Sequence, residues 1–212
     1  MKLRTILFTL SLLTLLSLSI GGYLYYSYLK ESFLKETSRQ ADLQASRIRN
    51  RTSSFLSQNQ KAVKAFSGIE QVRTALTSKE EAVLHHANAV SDNCKISFDA
   101  DVCYLINKDG ITIVSSNRND ADSFIGKNYA FRYYFQQAMR GIPAIYMAVG
   151  VTSLKRGVYY SYPVRSEKQD AAIGVMVIKS AIEPLEQEFS HSREGIVLLT
   201  EPHGLIFASN RQ

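Results

Sequence analysis

Cysteine is scarce in this chain. Cys94 and Cys103 are the two in 212 residues, too few for a disulfide framework and not spaced as a metal motif. They read either as two small buried hydrophobes or, if the domain lies outside the cytoplasm, as a pair for which a bridge is chemically permitted. Long blocks of one charge are also missing. The formal charge is +6, yet Lys and Arg are scattered and no basic run interleaves with aromatics, which speaks against nucleic acid as a partner. There is no Gly-rich phosphate loop and no nucleophile elbow. His85, His86, His191 and His203 lack the carboxylate, cysteine or i,i+4 spacing of a metal site. Asp99, Asp101, Asp120 and Asp122 read as solvated loop acids. With no acid–base pair clustered in the sequence, no catalytic residue, metal or cofactor is expected. What is present is ordinary: 45% hydrophobic and 21% charged residues exclude bulk disorder. The length suits one well-buried domain with attachments rather than two complete domains.

The first thirty residues decide the compartment. Ile6 to Tyr26 is uncharged and rich in Leu, Ile and Ser, long enough for a bilayer core of ~30 Å. Lys2 and Arg4 precede it, and Tyr23, Tyr25, Tyr26 and Tyr28 follow as an interfacial aromatic belt. A cleaved signal peptide would have a shorter apolar run and an Ala-x-Ala-like site; here the run ends in Gly21 and Gly22. Residues 1–29 are therefore read as a cytoplasmic N-terminus and a transmembrane helix, and the rest as exported.

From Lys30 to Val90 there is no proline and one glycine, Gly68. Phe33, Leu34, Ala41, Ile48, Phe55, Val63, Phe66, Ile69, Val72 and Leu76 recur at three- and four-residue steps, a helical period. Residues 30–92 are predicted as a long stalk helix, with Gly68 or the Thr77–Ser78 step as the place of a break. After Asp92 the period changes. Val102–Ile106 and Ile111–Ser115 form strands around a Lys108-Asp109-Gly110 turn. Phe131–Met139 follows as a short helix, then strands over Ala144–Val151, Gly157–Val164 and Ala172–Lys179, then a helix over Ala181–Ser190. Five strands with helices packed on one side make an α+β domain around an antiparallel sheet, assigned to residues 93–190.

The opening hairpin recurs. Val102–Ile111 and Ile196–Leu205 are both an apolar strand, a polar turn start, a glycine and an apolar restart, running on to Ser116-Asn117-Arg118 and Ser209-Asn210-Arg211. Residues 191–212 are thus predicted as the start of a second domain of the same fold, with the natural protein expected to continue.

Ser116-Asn117, the block Phe124-Ile125-Gly126-Lys127-Asn128-Tyr129-Ala130-Phe131-Arg132-Tyr133-Tyr134-Phe135, Gly150–Ser153, Gly157–Val164 and Ile173–Lys179 resemble the ligand-pocket pattern of double Cache (PAS-like) sensor domains. The combination is most similar to sensor histidine kinases of the DctB type, which respond to C4-dicarboxylates. Tyr133 departs from the pattern, where a proline is expected. The resemblance implies a membrane-distal, ligand-binding PAS-like domain with a five-stranded antiparallel sheet, a membrane-proximal second domain, and a kinase half outside this sequence. It also implies a bacterial inner-membrane protein with its sensor domain in the periplasm.

Arg132 is the first candidate for ligand contact, because a guanidinium grips a carboxylate through two parallel hydrogen bonds. Tyr129, Tyr134 and Tyr160 offer hydroxyls on rigid rings, with Tyr134 favoured by the resemblance. Thr152, at a strand end, brings a hydroxyl and nearby backbone N–H groups. Lys179 ends an apolar strand, where it reaches either a second carboxylate or solvent. The expected partner is a small carboxylate, with a homodimer through the stalk helix considered beside it. The expected function is signal input to a two-component histidine kinase. The alternatives are input to a chemoreceptor or diguanylate cyclase, or a membrane-tethered binding protein without enzymatic output.

Overall fold

The computed structural model describes residues 2–166, 171–190, 196–200 and 206–211. The chain divides into two units, Met1–Arg49 and Asn50–Gln212. From Lys2 on, the first unit is helical, as part of α1 (Lys2–Ser67). Its apolar side chains from Leu3 to Ile20 are exposed, and the segment is long and apolar enough to cross a membrane by length and composition.

The helical run that follows is interrupted at both expected positions. α1 ends at Ser67 beside Gly68, where the Gly68 and Ile69 N–H groups turn back to the Ala65 and Phe66 carbonyls. α2 (Glu70–Thr77) restarts from an extended Ile69 and stops where Ser78 becomes extended. The Ser78 hydroxyl accepts from the Glu80 N–H, a local bond that competes with helix continuation. α3 (Glu81–Ser97) follows.

The sheet comprises β1 (Val102–Asn107), β2 (Thr112–Ser115), β3 (Ala144–Val149), β4 (Arg156–Arg165) and β5 (Ala172–Ala181). Its order is β2-β1-β5-β4-β3, and every neighbouring pair is antiparallel. α4 (Tyr133–Met139) lies between β2 and β3 in sequence, and α5 (Glu183–Ser190) follows β5.

Side chains alternate across the sheet, and its two faces carry different layers. Cys103, Met176, Ile178 and Tyr160 look toward the helical layer, where Cys103 meets Cys94 of α3. Tyr104, Ile106, Val175, Val177 and Tyr159 look the other way, into a cluster with Phe124, Tyr134, Phe135 and Ala138. Helices therefore lie on both faces, not on one as the sequence suggested. The second face would stay wet without α4, whose first turn is tied to β4 by the Ser161 hydroxyl donating to the Tyr134 carbonyl at 2.9 Å.

Between β2 and α4 the chain crosses the second face as a loop. The buried Asn117 organises it: Oδ1 accepts from the Ser115 hydroxyl and the Phe124 N–H, and Nδ2 donates to the Asp122 carbonyl. The Tyr129 N–H then bonds the Gly110 carbonyl at 2.7 Å. Gly110 sits at φ +84, with the Ala130 backbone where a side chain would be, so the turn residue and the ordering of the tyrosine block are one feature.

The C-terminal hairpin, β6 (Leu198–Thr200) with β7 (Ile206–Ser209), repeats the first in detail. Leu198↔Ser209, Leu199↔Ala208 and Thr200↔Ile206 correspond to Tyr104↔Ser115, Leu105↔Val114 and Ile106↔Thr112, with the irregularity at the same step. Its turn, Glu201–Leu205, lies outside the described residues, as do His191 and His203.

Gly174 is where β5 passes under α2. A Cβ there would lie 2.7 Å from the Ile106 carbonyl oxygen and 2.6 Å from Leu76 Cδ2. Gly174→Ala is expected to cost about 1–3 kcal/mol by overpacking. In thermal unfolding of the purified chain this appears as a midpoint lowered by about 2–4 °C per kcal/mol; an unchanged midpoint would show that the α2 packing is not rigid.

Candidate functional site

Period-two alternation sends Tyr104 of β1 and Tyr159 of β4 to the same face. The first turn of α4 lays Tyr134 flat on Tyr159, with ring centroids 5.2 Å apart and planes within 4°. The Tyr104 and Tyr134 hydroxyls meet at 2.9 Å. Phe124 packs edge-on against Tyr104, and Tyr129 closes the group against both. Burial pushes the Tyr104 and Tyr134 hydroxyls well above the usual range; the bond between them raises Tyr104 further and pulls Tyr134 part of the way back. Burial pushes Tyr159 up to about 12, against a smaller opposing pull from Arg132. These rings are neutral hydrogen-bond donors near neutral pH.

Arg132 is the N-cap residue of α4 and has extended backbone. Its guanidinium lies over the rings of Phe131 and Tyr159, at 5.4 Å and 6.0 Å from their centroids. One Nη donates to the Val149 carbonyl at 3.0 Å. Its Nε–H is buried without a partner among the described residues. A buried donor left unmade costs about 1–3 kcal/mol, so the arrangement suits a site that supplies an oxygen.

The β3–β4 connection, residues 150–155, forms the roof. Gly150 and Lys155 pair through N–H···O=C at 2.9 Å, and Leu154 takes a left-handed φ of 55°. A Cβ on Gly150 would lie 2.8 Å from the Tyr159 hydroxyl, so only glycine lets the roof approach this ring. Thr152 Oγ1 meets the Tyr129 hydroxyl at 2.8 Å. The cavity enclosed by these groups is about 10 Å³, room for roughly one water molecule. A wider cleft of about 510 Å³ runs along Leu56, Gln60, Lys61, Lys64, Ile145 and Tyr162. It is open and does not converge on any one charged group, so the enclosed site is the better candidate.

Four of the six residues singled out in the sequence, Arg132, Tyr134, Thr152 and Tyr129, are brought together here. Tyr160 is not among them. It occupies the helix-covered face, buried, its hydroxyl without a partner among the described residues, and its neighbour Tyr159 takes the place at the site. Lys179 shares the site's face, opposite Tyr159 across the β4–β5 ladder, but does not line the cavity. Its ammonium bonds Asp101 Oδ2 at 2.9 Å, and the two side chains are 2% and 32% exposed. Asp101 is thus no solvated loop acid. Tyr104, Phe124 and Tyr159 were missed. Tyr104 lies on a strand that is buried on both faces, so its own signal was only its place on a predicted strand; Phe124 carried none beyond its motif. Among the described residues no group of three His, Cys, Asp or Glu side chains gathers as metal ligands.

No family model matches the chain. It is 35% identical over 146 residues to the C4-dicarboxylate transport sensor protein DctB of Pseudomonas aeruginosa, a match that covers 68% of this chain and 23% of that protein. The chain thus spans less than a quarter of the length of the curated relatives it matches. The crystal structure of the V. cholerae histidine kinase DctB sensor domain superposes with a TM-score of 0.75 at 30% identity, covering 82% of this chain and 66% of that one. The ligand-binding domain of the Campylobacter jejuni chemoreceptor Tlp3 in complex with L-valine shares the fold, with a TM-score of 0.69 at 18% identity over 87% of this chain and 74% of that one.

Two outcomes follow from the geometry. Asp101→Ala leaves the enclosed Lys179 charge unpaired. It should cost on the order of 2–4 kcal/mol, less than for a fully buried pair because the carboxylate is partly solvated; Asp101→Ala with Lys179→Met should recover most of the loss in thermal unfolding. The tyrosines give a pH dependence at the alkaline end. Their pKa is raised on folding, so their contribution is complete below about pH 10 and is lost as pH rises toward the folded value. Unfolding measured from neutral pH upward should show stability falling above about pH 10, with a shallower fall in Tyr159→Phe; equal slopes would show that Tyr159 is not protected on folding.

Proposed function

Because the chain carries a Cache-type sensor domain of the DctB kind, we propose that it is the extracytoplasmic signal-input region of a membrane-bound sensor histidine kinase, and that the tyrosine-lined site takes a small carboxylate, a C4-dicarboxylate first. The observation that carries the ligand reading is the Nε–H of Arg132, buried and without a partner among the described residues, at a cavity lined by neutral tyrosines. A carboxylate accepting from Nε–H and from Nη–H would satisfy both in one planar fork. The hydroxyls of Tyr129, Tyr134 and Thr152 would complete its shell, and the Tyr159 ring would exclude water from it.

α1 supplies the membrane crossing, with the sensor domain in the periplasm of a bacterial inner membrane. Two copies of the chain would pair through this helix. Ligand entry requires the 150–155 roof to part from Tyr129, since the cavity of about 10 Å³ is smaller than any C4 acid. Occupancy is therefore coupled to the roof's position. Transmission requires that ligand bind the two positions unequally.

A second reading has its own observation. The site-facing Lys179 is already neutralised by Asp101, which favours an acid with one anionic end. Calorimetric titration of the purified chain with succinate, fumarate, malate, acetate, pyruvate, butyrate and amino acids separates the two. Succinate preferred to butyrate by more than ~10-fold, equivalent to 1.4 kcal/mol, supports the two-ended ligand; equal affinities support the single-ended one. In either case Arg132→Lys keeps the charge and loses the fork. It should weaken binding at least ~10-fold, as expected for a charged hydrogen bond worth ~1.5–3 kcal/mol. A folded chain that binds none of these acids would sink the carboxylate reading.

A further inference from the structure

The sulfur atoms of Cys94 and Cys103 lie 3.0 Å apart, and both residues are fully buried. They come from different layers, Cys94 from the last turn of α3 and Cys103 from β1. The backbone between them is a tight reversal: Asp99 takes φ +47, and the Ala100 N–H bonds the Lys95 carbonyl at 3.0 Å. Cys103 is itself held in place, donating its N–H to the Ser116 hydroxyl and accepting from the Ser116 N–H. The sulfurs are only ~1 Å farther apart than a bonded pair at roughly 2.05 Å. These are the two cysteines of the 212 residues. Neither side chain takes part in the tyrosine site.

We propose that Cys94 and Cys103 are joined as a structural disulfide that pins the end of α3 to β1, formed by exchange with the disulfide of an oxidising dithiol carrier outside the cytoplasm. The inference rests on the export reading given above. One thiolate of the chain attacks the carrier disulfide, giving a mixed disulfide and releasing one carrier thiol. The other thiolate then attacks the chain's sulfur, closing the bridge and releasing the second carrier thiol. Two electrons pass to the carrier, and the two protons leave with its thiols. The exchange belongs to the period before the domain closes. Once folded, burial holds Cys103 as a thiol and keeps reagents out. The bridge joins the helical layer to the strand that carries Tyr104, so it fixes one wall of the site against the opposite face of the sheet.

The test uses the full chain from an exporting host, carrying a C-terminal reporter enzyme that is active only outside the cytoplasm. The protein is denatured in excess iodoacetamide with and without prior dithiothreitol. The expected result is no alkylation before reduction, two alkylated cysteines after it, and an unreduced mass lighter by two hydrogens. Dithiothreitol should also lower the thermal midpoint of the wild type to that of Cys94→Ala with Cys103→Val, and leave the variant unmoved. Free thiols in protein whose reporter is active would overturn the bridge and leave the sensor reading standing. An inactive reporter with free thiols would overturn both. Equal midpoints of the reduced and unreduced wild type would overturn the stabilising role.

Discussion

The register of β4 against β5 is the constraint on which the rest of this domain depends. It sets Tyr159 opposite Lys179 and Tyr160 opposite Ile178. A strand has only two faces, so a slip of one residue would exchange every side chain between them. Tyr159 would then be buried against the helices, and Tyr160 would face α4. The ladder is held at ten-residue length on both strands and by apolar burial on both sides. That two-sided burial is why β5 reads as a near-continuous apolar run with one lysine at its end.

Given that register, the chemistry of the site follows from desolvation. The tyrosines lose water and keep their protons, so they can only offer neutral hydroxyls. Among the described residues the one permanent charge lining the cavity is the Arg132 guanidinium, which borrows two ring faces and one carbonyl and still leaves a donor unmade. The carbonyl belongs to Val149, the last residue before the roof. An anion competing for the guanidinium would loosen the same residue that anchors the roof. In the proposed reading, binding and roof movement would be linked through a single hydrogen-bonding group, with no need for a longer path between them.

Much of this was legible in the sequence because the signals were local. The apolar N-terminal run, the change from helical to strand period after Asp92 and the Asp109-Gly110 turn each depend on a few neighbouring residues. The breaks at Gly68 and Ser78 were legible as alternatives; both occur, because each has its own local bond to end a helix. The site was legible only in part. Two adjacent tyrosines on a strand buried on both faces carry no mark of which one looks where, and the choice of Tyr160 over Tyr159 shows it. Asp101 looked solvated because its partner is 78 residues away. The need for Gly150 arises from contact with Tyr159 across the strand pair, which no local pattern encodes. The placement of α4 on the second face is likewise a tertiary matter: seven residues are too few to declare their own packing.

The second hairpin separates scaffold from site. It reproduces the pairing and the irregularity of the first, and Val197 exchanges bonds with Asn210 as Cys103 does with Ser116. The hydrogen-bond geometry of the turn is thus repeated while the side chains are not. Leu198 stands where the first copy has Tyr104, and Val197 where it has Cys103. The repeated strand has no hydroxyl to offer at the position that meets Tyr134, and no thiol facing a helix. Backbone register alone therefore does not make the site. What distinguishes the first copy is the set of polar groups placed on that register: one arginine at a helix start, tyrosines held neutral by burial, and a glycine that lets the roof come down on them.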